Sequence, residues 1–285
     1  MGEFSAQWLS LREPVDHAAR SNRVVQAMLT DLRARHGDPL AALHVVDLGC
    51  GSGSNLRALA PLLGAQQQWT LVDHDQALLN AARTALKAWA DDVESEQPDR
   101  LQIRHAHARI GVSFRVADLS AEVESVLVLP ADLVTASALF DLVSRHWVDR
   151  FCGALQAPLY AVLSFDGQMH WRPGHRLDGA VCEAFSAHQA TDKGFGAALG
   201  PASGSYLSAA LQQQGFNVLA DKSPWEIQDL PSAFHDMLIQ GIAQAVKETG
   251  RLGATEIDDW LAHNRAAARC VVGHDDIYAV KPSMR

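Results

Sequence analysis

The run Asp47-Leu48-Gly49-Cys50-Gly51-Ser52-Gly53 sets an acid two residues ahead of three glycines at alternate positions. Glycine there lets the backbone take positive φ and lets a ligand approach the main chain with no Cβ in the way. The aliphatic residues Val45-Val46 precede it, and a helix is expected from Asn55. The N-terminus of that helix aims free N–H groups at the turn, which favours a carboxylate or polar ligand edge. A second acid, Asp73, closes the apolar run Trp69-Thr70-Leu71-Val72 and stands 20 residues after Gly53. An acid at the tip of the second strand of a doubly wound sheet can hold both ribose hydroxyls of a nucleoside. The dinucleotide fingerprint requires a further glycine at position 54, where this chain has Ser54.

The elements that hold these residues follow from periodicity. A helix is expected over 14–36, with Pro14 near its start and Gly37 as its stop; Val24, Val25, Met28, Leu29 and Leu32 share one face. Strands are expected at 43–48, 69–73, 112–116, 133–136, 159–165 and 216–220, and helices at 55–63, 76–90 and 205–214. Residues 91–100 read as an acidic loop, and 101–103 with 112–116 as a hairpin, so the basic run Arg100–Arg109 is a solvated hairpin face. Two further helices are expected at 231–249 and 255–268. The end of the chain reads as strands 269–272 and 277–280 around a Gly273-His274-Asp275-Asp276 turn. Strands alternating with helices imply an α/β, doubly wound, mostly parallel sheet. The expectation is seven strands with the last antiparallel, plus helical and loop inserts over the ligand edge. A single domain spans 1–285: a helical cover at 1–38, a cofactor half at 39–165, and a substrate half at 166–285 with inserts 166–203 and 221–268.

Asp47–Gly53 is a complete match to the D-x-G-x-G-x-G motif of the class I S-adenosylmethionine (SAM) dependent methyltransferases. With Asp73, it makes residues 40–165 resemble that family. The resemblance implies SAM as cofactor. It implies that Gly49, Cys50 and Gly51 offer backbone groups to the methionine part and that Asp47 supports the turn or the cofactor ammonium. Asp73 is implied for the ribose, His74 beside the adenine, Asp118 and Leu119 at the adenine amino group, and Ala136 and Ser137 near the transferred methyl. For Asp118 a helix N-cap is the competing role. Arg20, or Arg12, can reach the SAM carboxylate from a covering helix; the alternative is a surface charge or an Asp16–Arg20 pair.

Methyl transfer needs the acceptor atom in line with methyl and sulfonium, and positioning supplies much of the rate. A hydroxyl, carboxylic acid or ammonium acceptor also calls for a base. Asp141, Asp166 and His188 are the catalytic candidates, with His170 and His175 in the same region. Metal-dependent catechol-type members carry ligands after the fourth and fifth strands, but here Asp166 is followed by Gly167, so no metal is expected. Glycines at 167, 174, 179, 194 and 196, with Trp171, Phe185 and Phe195, make 166–203 a candidate mobile cover that builds the acceptor pocket.

Composition narrows the partners. Among 285 residues, 24 basic side chains face 33 acidic ones, for a net charge of -9. That balance argues against a nucleic-acid substrate and favours a small-molecule acceptor. Cys50, Cys152, Cys182 and Cys270 show no C-x-x-C or metal spacing, which suits reduced thiols in a cytoplasmic protein. No apolar run is long enough to span a membrane, and Met1-Gly2 lacks the Ser/Thr at position 6 that acylation wants, which is Ala6. The sequence reading is thus a cytoplasmic enzyme that transfers methyl from SAM to an O, N, S or C atom of a small molecule. The alternatives are methylation of a protein or tRNA, and a non-methylating SAM-binding enzyme or regulatory module. The oligomeric state is not legible.

Overall fold

In the computed structural model the described residues are 6–37, 42–228 and 232–282, so Met1-Gly2 lies outside them. A ten-stranded sheet forms the centre. Its strands are β1 (Leu43–Leu48), β2 (Gln66–Asp73), β3 (Asp92–Gln97), β4 (Arg100–His105) and β5 (Ala108–Val116). They continue with β6 (Leu133–Ser137), β7 (Leu159–Arg172), β8 (Asn217–Lys222), β9 (Trp225–Ile227) and β10 (Arg269–Val280). The order is β3-β4-β5-β2-β1-β6-β7-β10-β8, with β9 paired to β10. From β5 to β7 the strands are parallel, and β10 is antiparallel to β7, β8 and β9. The expected seven strands are β5, β2, β1, β6, β7, β10 and β8; β4 is the first arm of the expected hairpin with β5, and β3 and β9 are additions.

Charge complementarity explains the extra edge. The acidic 91–100 segment, expected as a loop, is largely strand β3, paired antiparallel with β4. Its Asp92 and Glu94 meet Arg104 and Arg109 at 2.9 and 2.6 Å. The basic hairpin face is therefore exposed but answered by carboxylates.

Helices cover both faces: α1 (Ala6–Ala19), α2 (Asn22–His36), α3 (Ser54–Leu59), α4 (Gln76–Trp89), α5 (Leu119–Leu127) and α6 (Arg145–Ala154). The later ones are α7 (Asp178–Gln189), α8 (Ser203–Gln213), α9 (Ala233–Thr249) and α10 (Ala254–Asn264). The single N-terminal helix expected at 14–36 is two. Pro14 sits inside α1, and the break falls at Ser21, whose side chain caps α2. The Ser21 N–H also donates to Asp276 Oδ2 at 2.9 Å, and its hydroxyl to Asp221 at 2.7 Å. A cap anchored to the sheet fixes where the second helix starts, which outweighs the breaking tendency of Pro14.

Two more departures concern the substrate half. The fifth strand does not end at Phe165 but runs on to Arg172, against residues 269–272 of β10. Residues 269–280 form one strand, with irregularities between Val272 and His274 and between Asp275 and Ile277, rather than two strands around a turn. Such bulges re-aim side chains without ending a strand. The insert 166–203 accordingly contains a strand extension and α7. Two apolar clusters fill the molecule, one on each face of the sheet; the first includes Trp69, Tyr160, Trp225 and Trp260, the second Phe140, Trp147 and Phe151.

Candidate functional site

At the carboxyl end of β1 the chain enters a tight turn in which Gly49, Gly51 and Gly53 all take positive φ (63°, 52° and 76°). Only glycine adopts these at no steric cost. The turn is tied to β2: Cys50 N–H donates to Val72 O at 3.0 Å, and Gly51 N–H to Asp73 Oδ2 at 2.9 Å. The other Asp73 oxygen accepts from Asp75 N–H at 3.0 Å, and His74 Nδ1 lies 3.4 Å from it. Asp73 thus clamps the turn and stands at the strand tip, with exposed His74 beside it. Val116, 52% exposed at the end of the neighbouring strand β5, adds an apolar surface at the same edge.

Below the turn runs a buried polar row. Asp47 pairs with Thr135 across β1 and β6, and Thr135 with Tyr160 across β6 and β7. Asn55 Nδ2 donates to Asp47 Oδ1 at 2.7 Å and to Thr135 Oγ1 at 3.0 Å, while Asp47 Oδ2 has no partner. Burial raises the Asp47 carboxyl to about 7, against the pull of Asn55 and Arg20. Burial also pushes the Cys50 thiol well above its usual range, which removes it as a nucleophile. The Arg20 charge acts on Asp47, Tyr160 and Asp276, yet its Nε and Nη1 are buried without hydrogen-bond partners.

The covering helix α1 carries two stripes at i, i+4 spacing. Leu9, Glu13 and His17 face the cofactor turn. Leu9 Cδ1 lies 3.3 Å from where a Cβ on Gly51 would stand; Glu13 forms a bidentate pair with Arg57; His17 Nε2 is 3.0 Å from Ser54 Oγ. Trp8, Arg12 and Asp16 face β9 and α9. Arg12 is paired bidentately with Asp16 at 2.7 and 3.2 Å and stacks 5.1 Å over Trp225; Asp16 also accepts from Trp225 Nε1 at 2.9 Å. The expected Asp16–Arg20 pair is therefore replaced by Arg12–Asp16. Arg12 is spent on that pair, and Arg20 is the guanidinium with open donors.

The remaining sequence candidates divide. Asp118 N-caps α5, accepting from Ser120 N–H at 2.9 Å, and Leu119 is buried beneath it. The capping bonds hold its carboxyl below the usual range. Ala136 is buried at the end of β6; Ser137 is half-buried and followed by Ala138 at φ 52°. Leu163, in β7, also has positive φ (58°), with its N–H bound by Asp276 Oδ1 at 2.9 Å. Non-glycine residues in this region store strain of about 1–3 kcal/mol each, and these two flank the ligand ends of neighbouring strands. Asp141, in the loop after β6, is buried, with Oδ1 unpartnered and its carboxyl raised to about 6 by burial against the pull of Arg12.

Asp166 and His188 are engaged elsewhere. Asp166 pairs with Lys222 at 2.9 Å and accepts from Gln168 N–H, in a surface network with Asp275. His188 on α7 bridges to Glu248 on α9 at 2.9 Å. His175 lies against His263 and near Asp259. His170 is exposed and lines a surface cleft of about 550 Å³ with Met169, Cys182 and Arg251, apart from the glycine turn. Of the insert aromatics, Trp171 packs on Trp260 and Phe195 on Trp147, while Phe185 reaches Phe165.

Two buried residues beside α1 lie outside the sequence expectations. His274, expected in a turn, lies on β10 and is 5% exposed, its ring 4.7 Å from Trp225 and 6.4 Å from Phe165. Trp225 carries no sequence signal because β9 has three residues; it contacts Trp8, Phe234, Arg12, Asp16 and His274. A histidine inside an apolar strand was the only local signal.

The residue types at this edge suit SAM: an unspent cation and a carboxylate, Arg20 and Asp47, would meet its amino-acid end, Asp73 at the strand tip its ribose, and Val116 its adenine. No group of three or more metal-ligating side chains occurs among the described residues, and among them no helix is long and apolar enough to cross a membrane.

Residues 45–106 match the family model described as a methyltransferase domain. No curated protein matches. Among solved structures, YcgJ from Bacillus subtilis is 14% identical, over 93% of this chain and 100% of its own, with a TM-score of 0.50. A cyclopropane-fatty-acyl-phospholipid synthase-like protein from Lactobacillus casei is also 14% identical, over 95% and 93%, with a TM-score of 0.51. At that identity the likeness is one of fold.

Proposed function

We propose that this chain, whose residues 45–106 match a methyltransferase-domain model, is a class I SAM-dependent methyltransferase that transfers the SAM methyl to a small-molecule acceptor. S-adenosylhomocysteine is the second product. The observation that supports the reading is the three-glycine turn after β1, clamped by Asp73 through Gly51 N–H. A sulfonium-borne methyl is the chemistry SAM supplies when bound.

The chain's own residues do the rest. Gly49–Gly51 present main-chain groups to the methionine part, and Asp73 holds the ribose, with His74 and Val116 along the adenine. Arg20 takes the carboxylate in a charge-assisted pair; Asp47 answers the ammonium. Asp118 caps α5 and in that position edges the adenine site, with Leu119 behind it; Ala136 and Ser137 line the methyl end. Leu9 of α1 closes over the turn and excludes water, which strengthens every polar contact beneath it. Net charge -9 with a carboxylate-answered basic hairpin supports a small acceptor over a nucleic acid.

Calorimetry with S-adenosylhomocysteine and with NAD tests the reading. Binding of S-adenosylhomocysteine at micromolar level and of NAD far more weakly is expected; tight NAD binding with no S-adenosylhomocysteine signal overturns it.

A further inference from the structure

Strand β7 outruns its neighbour β6. The register of the two ends at Ser137 opposite Val162, so residues 163–172 pair with β10 along one edge and, among the described residues, with no strand along the other. Arg172 O accepts from Ala268 N–H at 2.7 Å, on the β10 side. Main-chain groups of successive residues alternate between the two edges of a strand, so those of Trp171 and Met169 address the open edge. There the Cys182 S–H donates to Met169 O at 3.4 Å. Burial pushes that thiol up to about 11, so it stays protonated, and an S–H is a weak donor. An unpaired edge is a row of N–H and C=O groups ready to take a further strand.

The cleft of about 550 Å³ follows that edge. Gln168, Met169 and His170 all line it, although consecutive strand residues point to opposite faces. A space that touches all three runs along the edge of the strand and not over one face. Its other wall is α7, through Cys182 and Glu183, with Arg251 beside them. Gly179 of α7 opens on the same space, since a Cβ there would meet nothing within 4 Å. Met169 lies seven residues beyond Val162, the partner of Ser137. At about 3.3 Å per residue that is roughly 23 Å, so the cleft is separate from the proposed methyl end of the cofactor edge. Two charges in it are unspent. Among the described residues the side chains of Glu183 and Arg251 have no hydrogen bond or ion pair, whereas Asp178 is used by His175 N–H and Trp260 Nε1. Trp260 of α10 packs on Trp171, which puts α7, α10 and the turn that carries Arg251 on the Met169–Trp171 side of the strand.

We propose that this cleft binds an extended peptide of a partner protein, which adds as a strand to the open edge of β7 and carries a basic and an acidic residue on one side. Its main chain pairs with that of Met169 and Trp171, the mode by which a sheet edge captures a peptide. Glu183 takes the basic residue and Arg251 the acidic one in charge-assisted bonds. Both stand on the α7 side, and side chains of an extended chain alternate, so the two residues are an even number of positions apart. The open edge favours a peptide over a small polar molecule, because a repeating amide answers N–H and C=O groups two residues apart. The two signs of charge disfavour a nucleic acid or an anionic membrane, which Glu183 repels. The assignment does not depend on the methyltransferase reading.

The test uses the full chain and capped, fluorescein-labelled threonine heptapeptides, since threonine favours an extended chain. Each carries one lysine and one glutamate, two, three or four positions apart and in either order. Anisotropy reads binding, and hydrogen exchange reads the edge. We expect binding below about 1 mM from even-spaced peptides, with slower exchange at the Met169 and Trp171 amides. Methylating alternate amide nitrogens of the best peptide should abolish binding in one of the two registers. Glu183→Lys and Arg251→Glu should each weaken it by about fivefold, and the double variant should prefer the peptide with lysine and glutamate exchanged. Gly179→Trp fills the cleft from an exposed helical position and should weaken binding by at least about tenfold. All these variants should unfold at or near the wild-type temperature. Absence of binding by every peptide overturns the assignment. So does equal binding by odd-spaced peptides, by the charge-reversed variants or by Gly179→Trp. Exchange at Met169 and Trp171 that slows with protein concentration and no peptide also overturns it, because the occupant is then a second copy of this chain.

Discussion

The glycine-turn edge and the Trp225 cluster solve the same problem, that of holding polar groups out of water, in opposite ways. At the cofactor edge most groups are already paired: Asp73 accepts two backbone N–H bonds, and Asp118 accepts one as a cap. The shape is complete before a ligand arrives, because glycine φ values and main-chain bonds define it. At the Trp225 cluster, His274 Nδ1 is buried and unanswered, and the walls are aromatic. The first region is prearranged by local chain geometry; the second is assembled by packing and leaves hydrogen-bonding capacity unused. Asp47 is answered by Asn55 at Oδ1 and open at Oδ2, and Arg20 keeps Nε and Nη1 unanswered.

The contrast breaks most sharply at Trp225. It is 4% exposed and joins α1, α9 and β10. Trp225→Ala is expected to cost about 3–5 kcal/mol of stability, read by chemical denaturation. Hydrogen exchange should rise in α1, β9 and the start of α9 before it rises in β1 and α3. Equal loosening of the glycine turn would show that the two regions are one cooperative unit.

Asp73→Ala should act on the other side of the comparison. We expect it to weaken S-adenosylhomocysteine by about 1.5–3 kcal/mol, the range for hydrogen bonds to a charged group, with the fold retained. Wild-type affinity in calorimetry would remove Asp73 from the ribose.

The smallest effect is the pH dependence set by Asp47. Its carboxyl is raised from 3.8 to about 7, chiefly by burial. The folded state therefore holds this proton more tightly than the unfolded chain does, so Asp47 contributes less stability as pH rises from about 4 toward 7. A bound ammonium favours the ionised form and must expel the proton. S-adenosylhomocysteine affinity should thus increase between pH 5.5 and 7.5, by up to about tenfold per unit where Asp47 is protonated, with proton release seen as a buffer-dependent enthalpy. Asp47→Asn should flatten the profile; an unchanged slope in that variant would assign the dependence elsewhere.

By itself the sequence determined the parts whose physics is local. Three glycines behind an acid can only be a positive-φ turn at a strand end, and apolar runs of five or six residues separated by helical periods force a parallel sheet. That is why Asp47, Gly49, Gly51 and Asp73 and the order of the inner strands were legible. Tertiary structure decided what depends on partners far apart in the chain. Whether Arg12 or Arg20 keeps free donors turned on Asp16 choosing Arg12. Asp166 and His188, plausible bases by position, were claimed by Lys222 and Glu248. The acidic 91–100 segment became strand because Arg104 and Arg109 answered it. His274 and Trp225 belong together only because β9 pairs with β10 at Val272, just ahead of the first bulge, a pairing between residues about fifty apart whose register no local pattern encodes.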